Sequence, residues 1–323
     1  MSSIINPPAS STAAQRMPDL SVRFAGLEFK NPVLAASGTF GYGIEFEDIV
    51  MLDKLGGFVT KGLSRLPMTG NPPPRIFETA AGMLNSIGLQ NIGARAFIHE
   101  KLPLLRKKKD VVVICNVFGY SREDYQETVR ILNDGEGIAA YEINVSCPNT
   151  SHGGIFFGSD PVLLEDIVAT VKTAAQRPVI VKLSPNVTSI PRMARAAETA
   201  GADAISLVNT FVALAIDAET RKPRISNITA GLSGPAIKPI ALRMVYEAAH
   251  SVEIPVIGMG GISTAEDVIE FMLAGAAAVQ VGTANYFDPV ISEKIVDGVR
   301  NWCIEHRVPK IVDLVGTLKV DSQ

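Results

Sequence analysis

Cysteine is scarce in this chain of 323 residues: there are three, Cys115, Cys147 and Cys303, and none forms a CxxC pair. Three scattered thiols exclude a disulfide framework and leave no cysteine ligand set for an iron–sulfur cluster on this chain by itself. They fit a reducing, cytoplasmic compartment. The four histidines show no HExxH or other zinc spacing, so no metal site is expected. No apolar run approaches the ~20 residues needed to span a bilayer. Charge of one sign is missing too. The 30 Lys and Arg against 33 Asp and Glu leave a net charge of −3, with no basic field to gather nucleic acid or anionic lipid. The one strong basic run, Arg106 to Lys109, follows an apolar helical stretch and reads as a solvated helix end.

What is present is globular: 47% hydrophobic and 20% charged residues exclude a disordered or fibrous chain. The start of the chain, with one Arg, two adjacent prolines and no apolar core in residues 1–17, reads as a loose tail over 1–20. Beyond it, short apolar or β-branched runs recur at 33–36, 58–61, 111–117, 141–145, 179–183, 204–208, 255–258 and 278–281. Helix-period stretches separate them at 94–107, 122–133, 161–175, 190–200, 236–250 and 264–273, and a stretch at 288–300 closes the series. Gly201 and Gly275 stop two of these helices, and Ser263 is expected to cap the one that begins at Thr264. Eight strand–helix units without a linker-like break predict one (β/α)8 barrel over 21–323. A doubly wound sheet is the main alternative, because strands buried on both faces look alike in either fold. Two strand-to-helix connections are unusually long, 62–93 and 209–235, and long structured loops at that end of a barrel build sites.

The strand ends carry the chemistry. The seventh strand runs into Gly258-Met-Gly260-Gly261-Ile-Ser263 and the eighth into Gly282-Thr283-Ala284. Glycines let backbone N–H groups approach an anion, and loops seven and eight are the usual phosphate site of barrels. No GxGxxG follows the first strand, which argues against a Rossmann site. Asparagines gather at the same end: Asn116, Asn144 and Asn209 near strand ends, Asn85, Asn91 and Asn149 in loops. Any one could simply shape a turn. Together, their paired donors and acceptors suit a flat heterocycle with alternating N–H and C=O edges, such as a pyrimidine or a flavin. Lys61 and Lys182 close strands two and five, where a lysine can neutralise a carboxylate, stabilise a reduced flavin anion or form a Schiff base. Cys147 lies just past strand four in Asn144-Val-Ser-Cys-Pro-Asn149. A free thiol titrates near ~8.5, so it can act as a base once water is excluded. Cys115 and Cys303 read as core filling. His152 could pair with the thiol as in a hydrolase, but no oxyanion motif or orienting acid stands beside it.

Asn144–Asn149, Lys182-Leu-Ser-Pro-Asn186, Asn85-Ser-Ile-Gly-Leu89-Gln-Asn, Gly231-Leu-Ser-Gly234-Pro and Gly258-Met-Gly-Gly together resemble dihydroorotate dehydrogenase, from about Val22 to Phe287. The cysteine at 147 is similar to class 1, since class 2 enzymes use serine there and carry a membrane-seeking helix. Thr150–Gly158 and Gly231–Pro239 are more similar to the NAD-linked B-type catalytic subunit than to the fumarate-linked A-type. The resemblance implies FMN and oxidation of (S)-dihydroorotate to orotate in pyrimidine biosynthesis, with Cys147 removing the C5 proton while hydride passes from C6 to flavin N5. It places Lys61 against the substrate carboxylate and the flavin. Asn85, Ser86, Ile87, Gly88, Leu89, Asn144, Asn149, Asn209 and Thr210 would frame the substrate. Lys182 would lie beside the flavin N1–O2 edge, and Ser37, Gly62, Asn116, Asn144, Val208 and Gly234 would pack on the flavin. Gly260, Gly261, Gly282 and Thr283 would hold its phosphate. The B-type further implies a homodimeric core joined to a subunit carrying FAD and a [2Fe–2S] cluster, a heterotetramer that relays electrons to NAD.

Three rivals are distinguishable. A fumarate-linked A-type enzyme needs no partner. A Schiff-base aldolase or lyase barrel using Lys61 or Lys182 needs no flavin. A non-catalytic phosphate-binding barrel would keep the glycines and be indifferent to Cys147.

Overall fold

The computed structural model describes residues 17–145 and 157–320. Eight strands close a parallel barrel in sequence order: β1 Val33–Ala35, β2 Gly57–Val59, β3 Val113–Val117, β4 Ile138–Asn144, β5 Val179–Lys182, β6 Ala204–Leu207, β7 Val256–Met259 and β8 Ala278–Val281. Closure runs through β8 and β1, with Val281 opposite Ala35. The doubly wound alternative is thereby excluded, and the barrel expectation holds. Strand residues are buried on both faces, against the barrel interior and the surrounding helices, which is why these runs show no period of two.

Around the barrel lie α1 over 94–105, α2 Arg122–Asn133, α3 Pro161–Ala174, α4 Ile190–Thr199, α5 Lys238–Ala249, α6 Ala265–Leu273 and α7 Ile291–Glu305. Their starts are chemically marked. The side chains of Ser121, Asp160 and Ser189 accept the amides of Asp124, of Val162 and Leu163, and of Arg192; such caps are each worth about 0.5–2 kcal/mol. Two details differ from the sequence expectation. Thr264, not Ser263, caps α6, in a reciprocal box with Asp267, because Asp267 three residues on can return the bond to Thr264. The first strand–helix unit also has no α-helix. Between β1 and β2 the chain makes only short 3₁₀ turns at Ile44–Phe46 and Leu52–Lys54. Glycines at 41 and 43 in the left-handed region break any helical run there, and Phe40 stacks on Phe46 at 4.7 Å to hold the turn.

The described chain is tied down ahead of residue 20. Asp19 donates its amide to the Pro309 carbonyl and accepts from the Ile311 amide, each at 2.9 Å, and Leu20 is buried. An antiparallel hairpin, Val22–Phe24 with Leu27–Phe29, then leads into β1. At the opposite end, the two long connections meet. Strands Phe211–Ala213, Ala230–Ser233, Gly82–Asn85 and Ile76–Thr79 form one antiparallel sheet in that order, with Gly231 opposite Asn85. A small core of Leu84, Ile225 and Ala230 holds it together. Neither loop could form this sheet alone, so its pairing fixes Asn85–Leu89 next to Asn209 and Thr210.

Candidate active site

The carboxyl ends of the strands open into a cavity of about 340 Å³. Glycine turns and short backbone segments build one end of it. Gly260 and Gly261 follow β7, and Gly282 and Thr283 follow β8; Gly234 enters from the sixth loop, and all five line the cavity. Gly261 must be glycine for packing: its φ is +76°, and a Cβ would lie 2.7 Å from the Lys238 Cβ and 2.9 Å from the Gly234 carbonyl. Gly282 differs. A Cβ there would meet nothing closer than Ala36 at 3.6 Å and Thr39 at 3.7 Å, so the protein has room for a side chain that the sequence leaves out.

This end is clamped from outside. Lys238, at the start of α5, pairs with Asp267 at 2.5 Å and Glu270 at 2.8 Å on α6. Asp267 also accepts the amides of Ser263 and Thr264 at 2.7 and 2.9 Å. Burial by itself would raise the Asp267 carboxyl, but the bonds from Lys238, Ser263 and Thr264 outweigh it and hold the group below its ordinary range. The Thr283 hydroxyl donates to Ser233 at 2.8 Å, and the Tyr286 hydroxyl donates to the Gly38 carbonyl at 3.0 Å, joining three loops across the rim.

Side chains build the other end. Lys61 and Lys182 both line the cavity, as do Asn85, Asn116, Asn144 and Asn209. Asn209 donates to the Asn144 side-chain oxygen at 3.3 Å, so these two amides orient one another. Asn186, in the loop after β5, donates to the Thr210 carbonyl at 3.1 Å and accepts the Val212 amide at 3.0 Å, which positions Asn209–Thr210. Ser37, Gly62, Ile87, Gly88, Leu89, Val208 and Thr210 complete the wall.

Two polar residues of the long second loop stand apart from the cavity. Ser86 is buried, its hydroxyl accepting from Asn71 at 3.0 Å and Asn227 at 2.9 Å, and it does not reach the cavity wall. Asn91 holds its own turn, bonded to Ser64, Leu89 and Gly93. Cys115 and Cys303 are buried, as core filling requires, and desolvation pushes both thiols up. Cys147, Asn149 and His152 lie outside the described residues.

Sequence reasoning passed over the group beneath the cavity. Glu142 on β4 is fully buried. One carboxylate oxygen accepts from the Asn116 amide at 2.7 Å; the other accepts from Gln280 at 2.6 Å and Ser206 at 2.9 Å. The Lys182 ammonium stands 3.9 Å away. A signal existed: β3, β6 and β8 each carry one polar residue, Asn116, Ser206 and Gln280, in an otherwise apolar run, and β4 carries Glu142 inside its run ahead of the terminal Asn144. Among the described residues no cluster of His, Cys, Asp and Glu could hold a metal, and no helix is long and apolar enough to cross a membrane.

A cavity with a bare glycine floor at one end and two lysines among amides at the other can hold a flat polar ring extended by an anionic tail. Comparison with known proteins agrees. The family model for dihydroorotate dehydrogenase matches residues 19–302. A protein of Solibacter usitatus described as a putative dihydroorotate dehydrogenase A (fumarate) is 61% identical over 302 residues, 94% of this chain and 99% of that protein. The dihydroorotate dehydrogenase B (NAD(+)) catalytic subunit of Pelobacter propionicus is 54% identical over 302 residues, with the same coverage. That of Geobacter metallireducens is 52% identical over 305 residues, 94% of this chain and 100% of the relative.

Proposed function

The chain belongs to the dihydroorotate dehydrogenase family, and on that premise we propose that it is the FMN-bearing catalytic subunit of the NAD-linked type, oxidising (S)-dihydroorotate to orotate. The observation that carries this reading is the single cavity shared by Lys61, Lys182 and the four asparagines 85, 116, 144 and 209, closed at its far end by the glycine turns.

The residues present fit FMN. The space over Gly282 suits the phosphate, with Gly260, Gly261 and Thr283 around it, and the α5–α6 ion pair keeps those turns in place. Asn116, Val208, Gly234, Ser37 and Gly62 offer the walls for the ring, and Lys182 the positive charge beside it. Bound FMN supplies the two-electron acceptor that no amino-acid side chain provides.

The chain's own groups then have separable tasks. Lys61 neutralises the substrate carboxylate, and Asn85, Asn144, Asn149, Asn209 and Thr210 orient the ring through amide and hydroxyl edges, with Ile87, Gly88 and Leu89 shaping the wall. Holding the reacting carbon in line is where much of the rate arises. Cys147 takes the C5 proton at Sγ, a step that speeds as the thiol ionises. The Lys182 ammonium stabilises negative charge that develops near it. In the NAD-linked reading electrons pass on to a second subunit, which we take from the family resemblance alone to carry FAD and a [2Fe–2S] cluster on a homodimeric core of this chain.

The 61% identity to a protein described as fumarate-linked favours a second reading, in which this chain works alone. Reducing the FMN-loaded chain anaerobically with dihydroorotate, then offering fumarate and NAD separately, decides. The NAD-linked reading predicts that neither reoxidises the flavin quickly. Rapid reoxidation by fumarate would overturn it in favour of the A-type enzyme.

A further inference from the structure

Glu142 is a buried anion with four partners, and three of them, Asn116, Lys182 and Gln280, line the cavity. Barrel geometry produces this hub. Asn116 stands opposite Glu142 in the β3–β4 register, and Lys182 stands opposite both Asn144 on β4 and Ser206 on β6, so their side chains point to one face. Both carboxylate oxygens act only as acceptors.

The amides confirm how strongly the hub imposes itself. With their NH₂ groups turned to Glu142, the carbonyl oxygens of Asn116 and Gln280 are buried without a hydrogen-bond partner among the described residues. Rotating either amide would set its oxygen against the carboxylate, acceptor against acceptor.

We infer that Glu142 is a positioning residue that sets the electrostatic balance of the flavin end: it fixes Asn116, Gln280 and Lys182 and offsets the lysine's positive charge. The inference rests on the FMN reading above. A negative charge held against the cavity-lining residues disfavours adding electrons to a flavin bound there, so Glu142 would hold the reduction potential of bound FMN below the value Lys182 alone would set.

The test is the reduction potential of bound FMN, measured against a reference dye, in the wild-type chain and in Glu142→Gln. FMN uptake by the wild-type chain is checked first; a chain that takes up none would remove the flavin reading and this inference with it. Where FMN binds, the potential is expected to rise in Glu142→Gln. A potential unchanged or lowered in that variant would overturn the inference, even if stability or activity fell. If Glu142→Gln does not fold or hold FMN, Ser206→Ala decides. Ser206 does not line the cavity and its hydroxyl shares the carboxylate's charge, so removing it leaves Glu142 a less screened anion. The potential is then expected to fall, and a value unchanged or raised would overturn the inference.

Discussion

The two ends of the cavity are made of different material. At the β7–β8 end, backbone and packing do the shaping: Gly261 has no room for a Cβ, and the loops are braced by Lys238, Asp267 and Glu270 from outside the cavity. At the β3–β6 end, side chains do it, each amide or ammonium held by another polar group, as Asn209 by Asn144 and Asn116 by Glu142. In the proposed reading the first end binds by shape, its loops braced from outside, and the second carries the chemistry, its orientation resting on polar bonds that one substitution can rearrange. Fold and function therefore separate along the cavity, and substitutions can expose the division.

The largest effect belongs to the chemical end. Cys147→Ala should slow anaerobic flavin reduction by dihydroorotate about 10²–10⁴-fold while FMN stays bound, the usual worth of a positioned base. Stopped-flow absorbance checks this, and near-normal reduction would remove Cys147 from its role. Gly261→Ala comes next and should act on the fold: overpacking against Lys238 in a left-handed conformation is expected to cost about 1–3 kcal/mol. Denaturant unfolding of the FMN-free chain reads that loss.

Asp267→Asn should remove the charged clamp to Lys238 and weaken the side-chain half of the α6 capping box, about 0.5–2 kcal/mol at neutral pH. The sign of its pH dependence follows from a folded-state carboxyl held below its ordinary value of 3.8. The stabilisation is present above the unfolded value and is lost as pH falls through the folded one, so wild type and variant should converge in strongly acidic solution. Gly282→Ala provides the sharpest contrast. It should leave the FMN-free chain within about 0.5 kcal/mol of wild type, because the new methyl has space, yet weaken FMN binding in a fluorescence titration. Smallest of all, breaking the exposed Arg243–Glu247 pair by Glu247→Gln should change stability by no more than about 0.5 kcal/mol.

The same division governs what the sequence discloses. All eight barrel strands are legible as apolar runs, and their ends shift by only a residue or a few, because burial on both faces selects the same residue types along the whole strand. Gly201 and Gly275 are legible as helix stops because their positive φ values suit glycine. The turn after β7 is legible for a like reason, Gly260 and Gly261 both having positive φ, whereas Gly282 after β8 does not. The amides are legible as a set but not singly: Asn116, Asn144 and Asn209 reach the cavity, whereas Asn91 folds back on its own loop, and residue type alone does not tell these cases apart. Ser86 belongs to a recognisable motif, yet its side chain is claimed by Asn71 and Asn227 from distant loops. Glu142 went unread because an acid inside an apolar strand gains its meaning only when Asn116, Ser206 and Gln280 arrive from three other strands. Nor does either long loop alone reveal the four-stranded sheet they form together, since its register exists only between them.

The most direct test of the account is an anaerobic titration of the FMN-loaded wild-type chain with (S)-dihydroorotate, followed by the flavin absorbance. The account predicts that the yellow colour bleaches with one equivalent of substrate per flavin and that orotate appears in the same amount. A flavin that binds but stays oxidised under excess dihydroorotate would contradict it.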